Sequence, residues 1–240
     1  MQDKLEEIQK FLENIPDQFD VLETGIDFKV QTEYTEYSHS FDRGELTEKE
    51  THALGNILFN QETPFEVKKK ALVLLAHLGT ILAFRIIEKY IKNPDKHLEQ
   101  WATLALQEYK MLLESSIMEI STGFISSGLG GLGNRMRYYF FLLPLTDKLF
   151  TPTQTEIIRD ELLIVCKELK CILEKTNFSE NYVGMTILVP MDVAVGTVIE
   201  TGIENCNELG EFVFEYYYVT NQNVPDDSEI TEIIKIVTAD

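Results

Sequence analysis

The stretch from residue 64 to residue 113 constrains the fold more than any other part of the sequence. Its apolar residues recur at intervals of three and four, first at Val67, Ala71, Leu74 and Leu78 and again at Leu98, Ala102, Ala105 and Tyr109. This spacing places each group on one face of an α-helix. Gly79-Thr80 ends the first helix, and Asn93-Pro94-Asp95 begins another. The connections are short, so the stretch predicts consecutive helices that pack as antiparallel pairs.

Part of this stretch resembles a short HEAT-like helical repeat. The residues from Glu66 to Leu72, with Leu75 and Leu78-Gly79 after them, are similar to the first helix of such a repeat, and Leu98 to Ala105 is similar to the next one. Val67 to Leu98 and Ala71 to Ala102 both give a period of 31 residues. The resemblance covers about residues 47–114 and contains at most two units, whereas solenoids need three or more. An ordinary helical bundle is the alternative.

The chain before this stretch contains two further helix signals and one ambiguous segment. Residues 3–15 form an amphipathic pattern that Pro16 ends. Thr47 with Glu50 forms a capping box that begins another helix. Residues 16–46 are less regular. Within them an alternation of apolar or β-branched residues with polar ones indicates either an edge strand or a long ordered loop, at Phe28, Val30, Thr32 and Tyr34.

After residue 115 the apolar pattern changes to a mixture of strands and helices. Strands are predicted over residues 117–125, 135–143, 182–189 and 212–219, and helices over 153–175, 191–208 and 228–237. The second half of the strand at 135–143 is apolar on both faces, which indicates a central strand. Thr153 with Glu156 is the predicted cap of the helix at 153–175.

The fold class that follows is α+β. It combines an N-terminal antiparallel helical, HEAT-like block over residues 1–115 with a mixed α/β sheet domain of about four strands over residues 116–240. The alternation of strands and helices in the second domain is compatible with a split βαβ or ferredoxin-like arrangement. The order of the strands within the sheet cannot be read from this pattern.

The formal net charge of −19 is concentrated at the two ends of the chain. Residues 1–50 carry 14 acidic and 5 basic side chains, and residues 200–240 carry 10 acidic and 1 basic. Acidic ends repel phosphate backbones, so no direct contact with nucleic acid is expected. They favour a basic protein as partner, although charge of this kind also serves solubility alone.

The cellular compartment is predicted from three absences in the sequence. The opening residues lack the basic and then apolar pattern of a secretory signal. No apolar run approaches the roughly 18 residues of a membrane span. The three cysteines, at 166, 171 and 206, are an odd number without CxxC spacing, as expected of free thiols in a reducing compartment. A soluble, cytoplasmic protein that makes no membrane contact is therefore expected, and its oligomeric state is left open.

A glycine loop at residues 128–133 is the one candidate ligand site. It is formed by Gly128, Gly130, Gly131 and Gly133, with Arg135 and Arg137 immediately after it. The glycines formally match GxGxxG, but a strand follows where the dinucleotide fingerprint requires a helix. A kinase-type lid is excluded because no VAIK, HRD or DFG motif follows. The loop is either a mobile turn or an anion site made of backbone N–H groups and guanidinium groups.

No residue pattern in the sequence indicates catalysis, a metal site or a cofactor. The four histidines lack HxxxH and HExxH spacing, and no GxSxG, SxxK or Cys–His signature occurs. The sequence therefore predicts a non-catalytic, acidic protein-interaction module, in its sharper form an inhibitor or immunity-type partner of a basic protein. The alternative is a small-molecule or phosphate-binding domain, possibly an enzyme, that uses the glycine loop with Arg135 and Arg137.

Overall fold

The computed structural model describes residues 18–40, 46–119, 122–146, 149–179 and 181–237. The chain forms two compact units, one of residues 1–20 and 26–125 and the other of residues 21–25 and 126–240. The first is mainly helical and the second is built on a sheet, so the predicted α+β class is confirmed. The helix predicted over residues 3–15 lies outside the described residues. Among the described helices, none is both long enough and apolar enough to cross a membrane.

The helical unit contains five α-helices within the described ranges. They are α1 (Phe28–His39), α2 (Glu48–Phe59), α3 (Phe65–His77), α4 (Ile81–Ile91) and α5 (Glu99–Met118), with a 3-10 turn at Lys96–Leu98 before α5. Two short strands, β1 (Gln18–Val21) and β2 (Thr122–Ile125), form a two-stranded sheet. The order and spacing of α2 to α5 agree with the predicted run of helices.

Local capping explains where these helices begin and end. The Thr47 and Glu50 side chains form the predicted capping box at the start of α2. Gly79 has a positive φ of 62°, and the Thr80 side chain accepts a hydrogen bond from the N–H of Ala83 at the start of α4. At the start of α3, Pro64 occupies the N-cap position and makes no side-chain hydrogen bond.

Of the two residue pairs that are 31 residues apart, only one has the same burial at both positions. Ala71 and Ala102 are both buried, whereas Val67 is exposed and Leu98 is buried. The resemblance to this repeat family stays a prediction.

The segment at residues 28–34 is a helix, so the prediction of a strand or loop there is wrong. The Asp27 carboxylate accepts a hydrogen bond from the N–H of Lys29 and caps α1. Tyr34 and Ser38, four residues apart, are the buried side chains of this helix, while Phe28 and Thr32 are exposed. The alternation of apolar residues therefore did not reflect burial, and the cap together with the spacing of four determined the structure.

Two helices end at positions other than predicted, and a residue with left-handed backbone conformation follows each of them. Helix α5 continues to Met118 and ends at Glu119, whose φ is 54°, so the strand predicted over 117–125 is confined to β2. Helix α6 (Pro152–Glu168) begins at a capping box of Thr151 and Gln154, two residues before the predicted cap at Thr153. It ends before Lys170, whose φ is 56°, and residues 172–178 form a strand instead of continuing the helix.

The sheet unit has the connectivity βαββαβ. Its elements are β3 (Gly131–Leu132), β4 (Arg135–Pro144), α6, β5 (Ile172–Phe178), β6 (Val183–Pro190), α7 (Val195–Glu208), β7 (Val213–Thr220) and α8 (Asp227–Val237). The four long strands lie in the order β7-β4-β6-β5, and each neighbouring pair is antiparallel. This is the split βαβ, ferredoxin-like arrangement that the sequence suggested. The neighbouring strands are antiparallel where a mixed sheet was expected, because each α-helical crossover skips one strand position.

Helices cover both faces of the sheet. On one face α6 and α7 pack on alternate residues of β4, β6 and β7 in a core that includes Phe140, Leu162 and Ile199. On the other face α8 packs on Phe141 and Tyr139 through Ile230. Strand β4 lies between these two layers, which confirms that its apolar second half marks a central strand.

Candidate functional site

The backbone of the glycine loop packs directly against the backbone of two other segments of the sheet unit, residues 21–25 and residue 222. A Cβ atom on Gly128 would stand 1.8 Å from the carbonyl oxygen of Gln222, and one on Gly130 would stand 2.2 Å from that of Glu23. A Cβ on Gly25 would in turn stand 2.0 Å from the carbonyl oxygen of Gly128. Gly130 also has a positive φ of 68°. Glycine is required at these positions because the neighbouring backbones leave no room for a side chain.

Backbone groups of the loop are hydrogen-bonded within the same unit. The N–H of Leu129 donates to the carbonyl of Asn221 at 2.9 Å, and the N–H of Gly130 donates to the carbonyl of Ser127 at 3.2 Å. The carbonyl of Gly133 accepts from the N–H of Val21 at 2.9 Å. The loop therefore joins residues 21–25 and 221–222 to the start of the sheet.

The two arginines beside the loop have partners in the protein. Arg137 makes a two-point ion pair with Glu174, with Nε–Oε2 and Nη2–Oε1 distances of 2.6 and 2.9 Å, and its Nη1 donates to the carbonyl of Leu129. The hydrogen bond to Glu174 raises the pKa of Arg137. Arg135 donates from Nε to the carbonyl of Lys170 at 2.9 Å. The anion site of Gly128, Gly130, Gly131, Gly133, Arg135 and Arg137 stays a prediction, and a ligand there would compete with Glu174 for Arg137.

A concave site that the sequence reasoning did not identify lies between α7 and β7. This cleft has a volume of about 810 Å³. Its lining consists of Glu200, Ile203, Glu204 and Asn207 from α7 and Glu215, Tyr216 and Tyr217 from β7. The α7 residues recur at spacings of three and four, so they share one face of the helix. Strand β7 pairs with β4 along one edge, and no described strand pairs with its other edge.

Asn207 fixes the end of α7 against the start of β7. Its Oδ1 accepts hydrogen bonds from the N–H groups of Phe212 and Val213 at 3.1 and 2.9 Å, and its Nδ2 donates to the carbonyl of Val213 at 2.9 Å. An amide side chain can satisfy both donor and acceptor groups of the neighbouring backbone in this way. Asn207, which also lines the cleft, therefore fixes the chain between α7 and β7.

The cleft carries negative charge without an internal counter-charge. Within the described ranges, no Lys, Arg or His lies within ion-pair distance of Glu200, Glu204 or Glu215. The hydroxyl of Tyr217 donates to Oε1 of Glu200 at 2.9 Å. Burial and this hydrogen bond raise the pKa of Tyr217 to about 12, so the phenol is neutral at neutral pH. Tyr216 is 55% exposed, and its ring stands edge-on to that of Phe214 at a centroid distance of 5.3 Å, on the opposite face of β7 from Tyr217.

This arrangement is suited to binding a cation. The carboxylates accept hydrogen bonds from ammonium or guanidinium groups. No group of three or more His, Cys, Asp or Glu side chains among the described residues is placed to hold a metal ion. A useful signal was present in the sequence, since Glu200 and Glu204 are four residues apart in a region with 1 basic side chain.

A buried polar cluster in the helical unit has the residue types of a hydrolase triad but not its geometry. Nε2 of His77 lies 3.2 Å from Oγ of Ser38 and also 3.1 Å from Oε1 of Glu108. In a triad the acid contacts the nitrogen that faces away from the serine. Here Ser38 donates directly to Glu108 at 2.5 Å, and Nδ1 of His77 is buried without a partner. The cluster holds helices together and provides no activated nucleophile.

Comparisons with known proteins do not assign the chain to a family. No family model matches the sequence, and no curated protein matches it. One similar solved structure is a REP-associated tyrosine transposase bound to a REP hairpin, with a TM-score of 0.33 and 6% identity, covering 42% of this chain. The match spans 64% of that transposase chain, less than two thirds of its length. Another is a Deinococcus radiodurans R1 protein described as a transposase, with a TM-score of 0.35 and 8% identity, covering 44% of this chain and 90% of that one.

These matches correct the predicted function and partners. Both proteins are described as transposases and one is bound to a REP hairpin, which contradicts a non-catalytic protein-interaction module that binds a basic protein and makes no contact with nucleic acid. The interaction module, its inhibitor or immunity-type form and its partner assignment are therefore dropped. TM-scores of 0.33 and 0.35 do not by themselves transfer a fold, an activity or a ligand to this chain.

Proposed function

We propose that the sheet unit binds a small organic cation in the cleft between α7 and β7. The observation that carries this proposal is the set of three carboxylates, Glu200, Glu204 and Glu215, which line one cleft with two tyrosines and have no ion-pair partner in the described part of the chain. Concave sites with a few convergent polar groups are the usual location of small ligands.

Charge and shape favour an amine over a metal ion. Carboxylates without a counter-charge raise the local concentration of cations around the cleft. The volume of about 810 Å³ is that of a small-molecule site. Tyr217 fixes one oxygen of Glu200, which leaves the other oxygen for an N–H donor of the ligand.

A reducing, cytoplasmic location belongs to the same proposal. The thiols of Cys166, Cys171 and Cys206 are free and buried. Burial raises the pKa of Cys166 and of Cys206 to about 12, so these thiols are poor nucleophiles. Free, inert thiols are typical of proteins in reducing compartments.

Isothermal titration of the full chain with spermidine tests the proposal. We expect saturable binding at one site, and we expect Glu204→Gln/Glu215→Gln to weaken it by about tenfold or more because charged hydrogen-bond acceptors are lost. The matched control is Glu156→Gln/Glu232→Gln, which removes the same charge from exposed positions of α6 and α8 in the same unit. Its affinity should stay close to that of the unmodified protein.

Two results would overturn the proposal. One is the absence of saturable spermidine binding to the unmodified protein at low salt. The other is an equal loss of affinity in both double variants, because that loss would report the net charge of −19 and not the cleft.

A further inference from the structure

Helix α1 buries only two of its residues, and both end in a hydroxyl group that is bound to the same carboxylate. Tyr34 and Ser38 are the buried side chains of α1. The Tyr34 hydroxyl donates to Oε2 of Glu108 at 2.6 Å, and the Ser38 hydroxyl donates to Oε1 at 2.5 Å. Glu108 lies on α5 and is itself buried. The docking of α1 therefore depends on one ionisable group.

The remaining contacts of α1 with the other helices are polar or lie at its margins. The Tyr37 hydroxyl donates to Glu66 at 2.8 Å, and Glu33 forms an ion pair with Lys69 at 2.6 Å. Both pairs include an exposed or half-exposed partner, so each adds little to stability. The main apolar contact is made by the rings of Tyr34 and Tyr37, which stand edge-on to Trp101 at centroid distances of 5.1 and 5.4 Å.

Helices α2 to α5 are joined differently. Their shared interior contains fully buried apolar side chains, including Leu58, Leu72, Leu75, Ile87 and Leu98. Apolar burial of this kind does not change with the protonation of a carboxylate, whereas hydrogen bonds to a charged acceptor are about twice as strong as neutral ones. The docking of α1 should therefore depend on the charge of Glu108, whereas the packing of α2–α5 on one another should not.

We propose that α1 is a detachable helix, latched by the ionised carboxylate of Glu108, which opens separately from α2–α5 when that carboxylate is neutralised. Opening uncovers Trp101 and the polar cluster of Glu108 and His77. His77 Nε2 is the third group that contacts the carboxylate, at 3.1 Å from Oε1.

The direction of the pH dependence follows from the groups around Glu108. Burial acts to raise its pKa, but hydrogen bonds from His77, Ser38 and Tyr34 outweigh burial and hold the pKa below its ordinary value of 4.5. A carboxyl whose pKa is lower in the folded state stabilises that state above its unfolded pKa and loses this effect as pH falls through the folded pKa. The latch is therefore closed at neutral pH and opens below about pH 4.5.

Other charged groups also lie near α1. Lys69 pairs with both Glu33 and Glu66, and Lys70 adds to the positive charge near Glu66. The pKa of Glu66 is lowered by its hydrogen bonds from Lys69 and Tyr37. A variant of Glu108 alone distinguishes its role from theirs at neutral pH.

Hydrogen exchange of the full chain, with the emission of Trp101 as a second readout, tests the latch. Trp101 is the only tryptophan in the sequence, so its emission reports the docking of α1 directly. After correction for intrinsic rates, we expect α1 amides to lose about tenfold or more of their protection between pH 7 and pH 3 while α3 and α5 lose less. Glu108→Gln should show the same loss at pH 7, and the control Glu114→Gln on the exposed face of α5 should not.

A second variant pair keeps the carboxylate and removes its donors. Tyr34→Phe/Ser38→Ala should also release α1 at pH 7, with little further change on acidification. The inference is overturned if α1 stays as protected as α3 and α5 at every pH until all of them unfold together. It is equally overturned if Glu108→Gln either retains full α1 protection or unfolds the other helices with α1.

Discussion

The helical unit contains a buried lysine whose charge is neutralised by one ion pair. Lys68 is 2% exposed, and its Nζ lies 2.6 Å from Oδ2 of Asp95 in the turn before α5. The Tyr90 hydroxyl donates to the same oxygen at 2.6 Å. Burial acts to raise the pKa of Asp95, but the hydrogen bonds from Lys68 and Tyr90 outweigh it and lower the pKa. Asp95 is thus present in this turn to neutralise a charge from α3.

Replacing Asp95 with Asn should destabilise the helical unit through the charge left on Lys68. Breaking a buried ion pair costs about 3–5 kcal/mol, and we expect roughly 2–3 kcal/mol here because Asp95 is 27% exposed. Urea unfolding followed by Trp101 emission measures the change. The double variant Lys68→Met/Asp95→Asn should recover most of the loss, since no buried charge remains. If the double variant is as unstable as the single one, the loss comes from the turn and not from the lysine.

At the scale of elements, α8 has the clearest structural role because it closes the second face of the sheet. Ile230 is 4% exposed and packs with Phe141 and Tyr139, whereas Ile236 on the same helix is 70% exposed. Ile230→Ala should lower the free energy of unfolding of the sheet unit by about 3 kcal/mol, through lost transfer energy and the cavity that forms. Ile236→Ala should leave it nearly unchanged. Denaturant unfolding that shows equal losses in both variants would contradict the assignment of α8 as the cover.

The same elements show how much of the fold could be predicted from sequence. Strand β4 was predicted as central because its apolar run has no polar face, and the two helical layers explain that run. Helix α1 was missed because its buried side chains are few and polar-ended, so periodicity carried little signal. Its N-cap at Asp27 was the better indicator. For α1, the N-cap residue therefore indicated the structure better than the weak periodicity of its apolar residues.

The candidate site was harder to predict than the elements that form it. The cleft joins α7 to β7, and its charge pattern becomes visible only when the open edge of β7 is known. That edge follows from the strand order β7-β4-β6-β5, which depends on long-range pairing that sequence periodicity does not record. The sequence singled out the glycine loop as a candidate ligand site, and close contacts with Gln222 and Glu23 explain why Gly128 and Gly130 are glycines.

At the scale of the whole molecule, the dominant property is an excess of negative charge that ion pairs offset only in a few places. The chain carries 40 acidic and 21 basic side chains. Several of the ion pairs in the described residues are exposed, such as Lys92–Glu88 at 4.0 Å, and such pairs contribute little. Self-repulsion among the remaining carboxylates should therefore oppose folding at low ionic strength.

Salt should consequently stabilise this protein. Raising NaCl from about 10 mM to about 500 mM shortens the Debye length from roughly 30 Å to less than 5 Å, which screens long-range repulsion more than the short buried pairs. We expect Tm at pH 7 to rise by several degrees, and by the same amount in KCl, because the effect is one of screening. Differential scanning calorimetry measures it. A fall in Tm would mean that pairs such as Lys68–Asp95 and Arg137–Glu174 outweigh the net charge of −19 in the energy of the folded state.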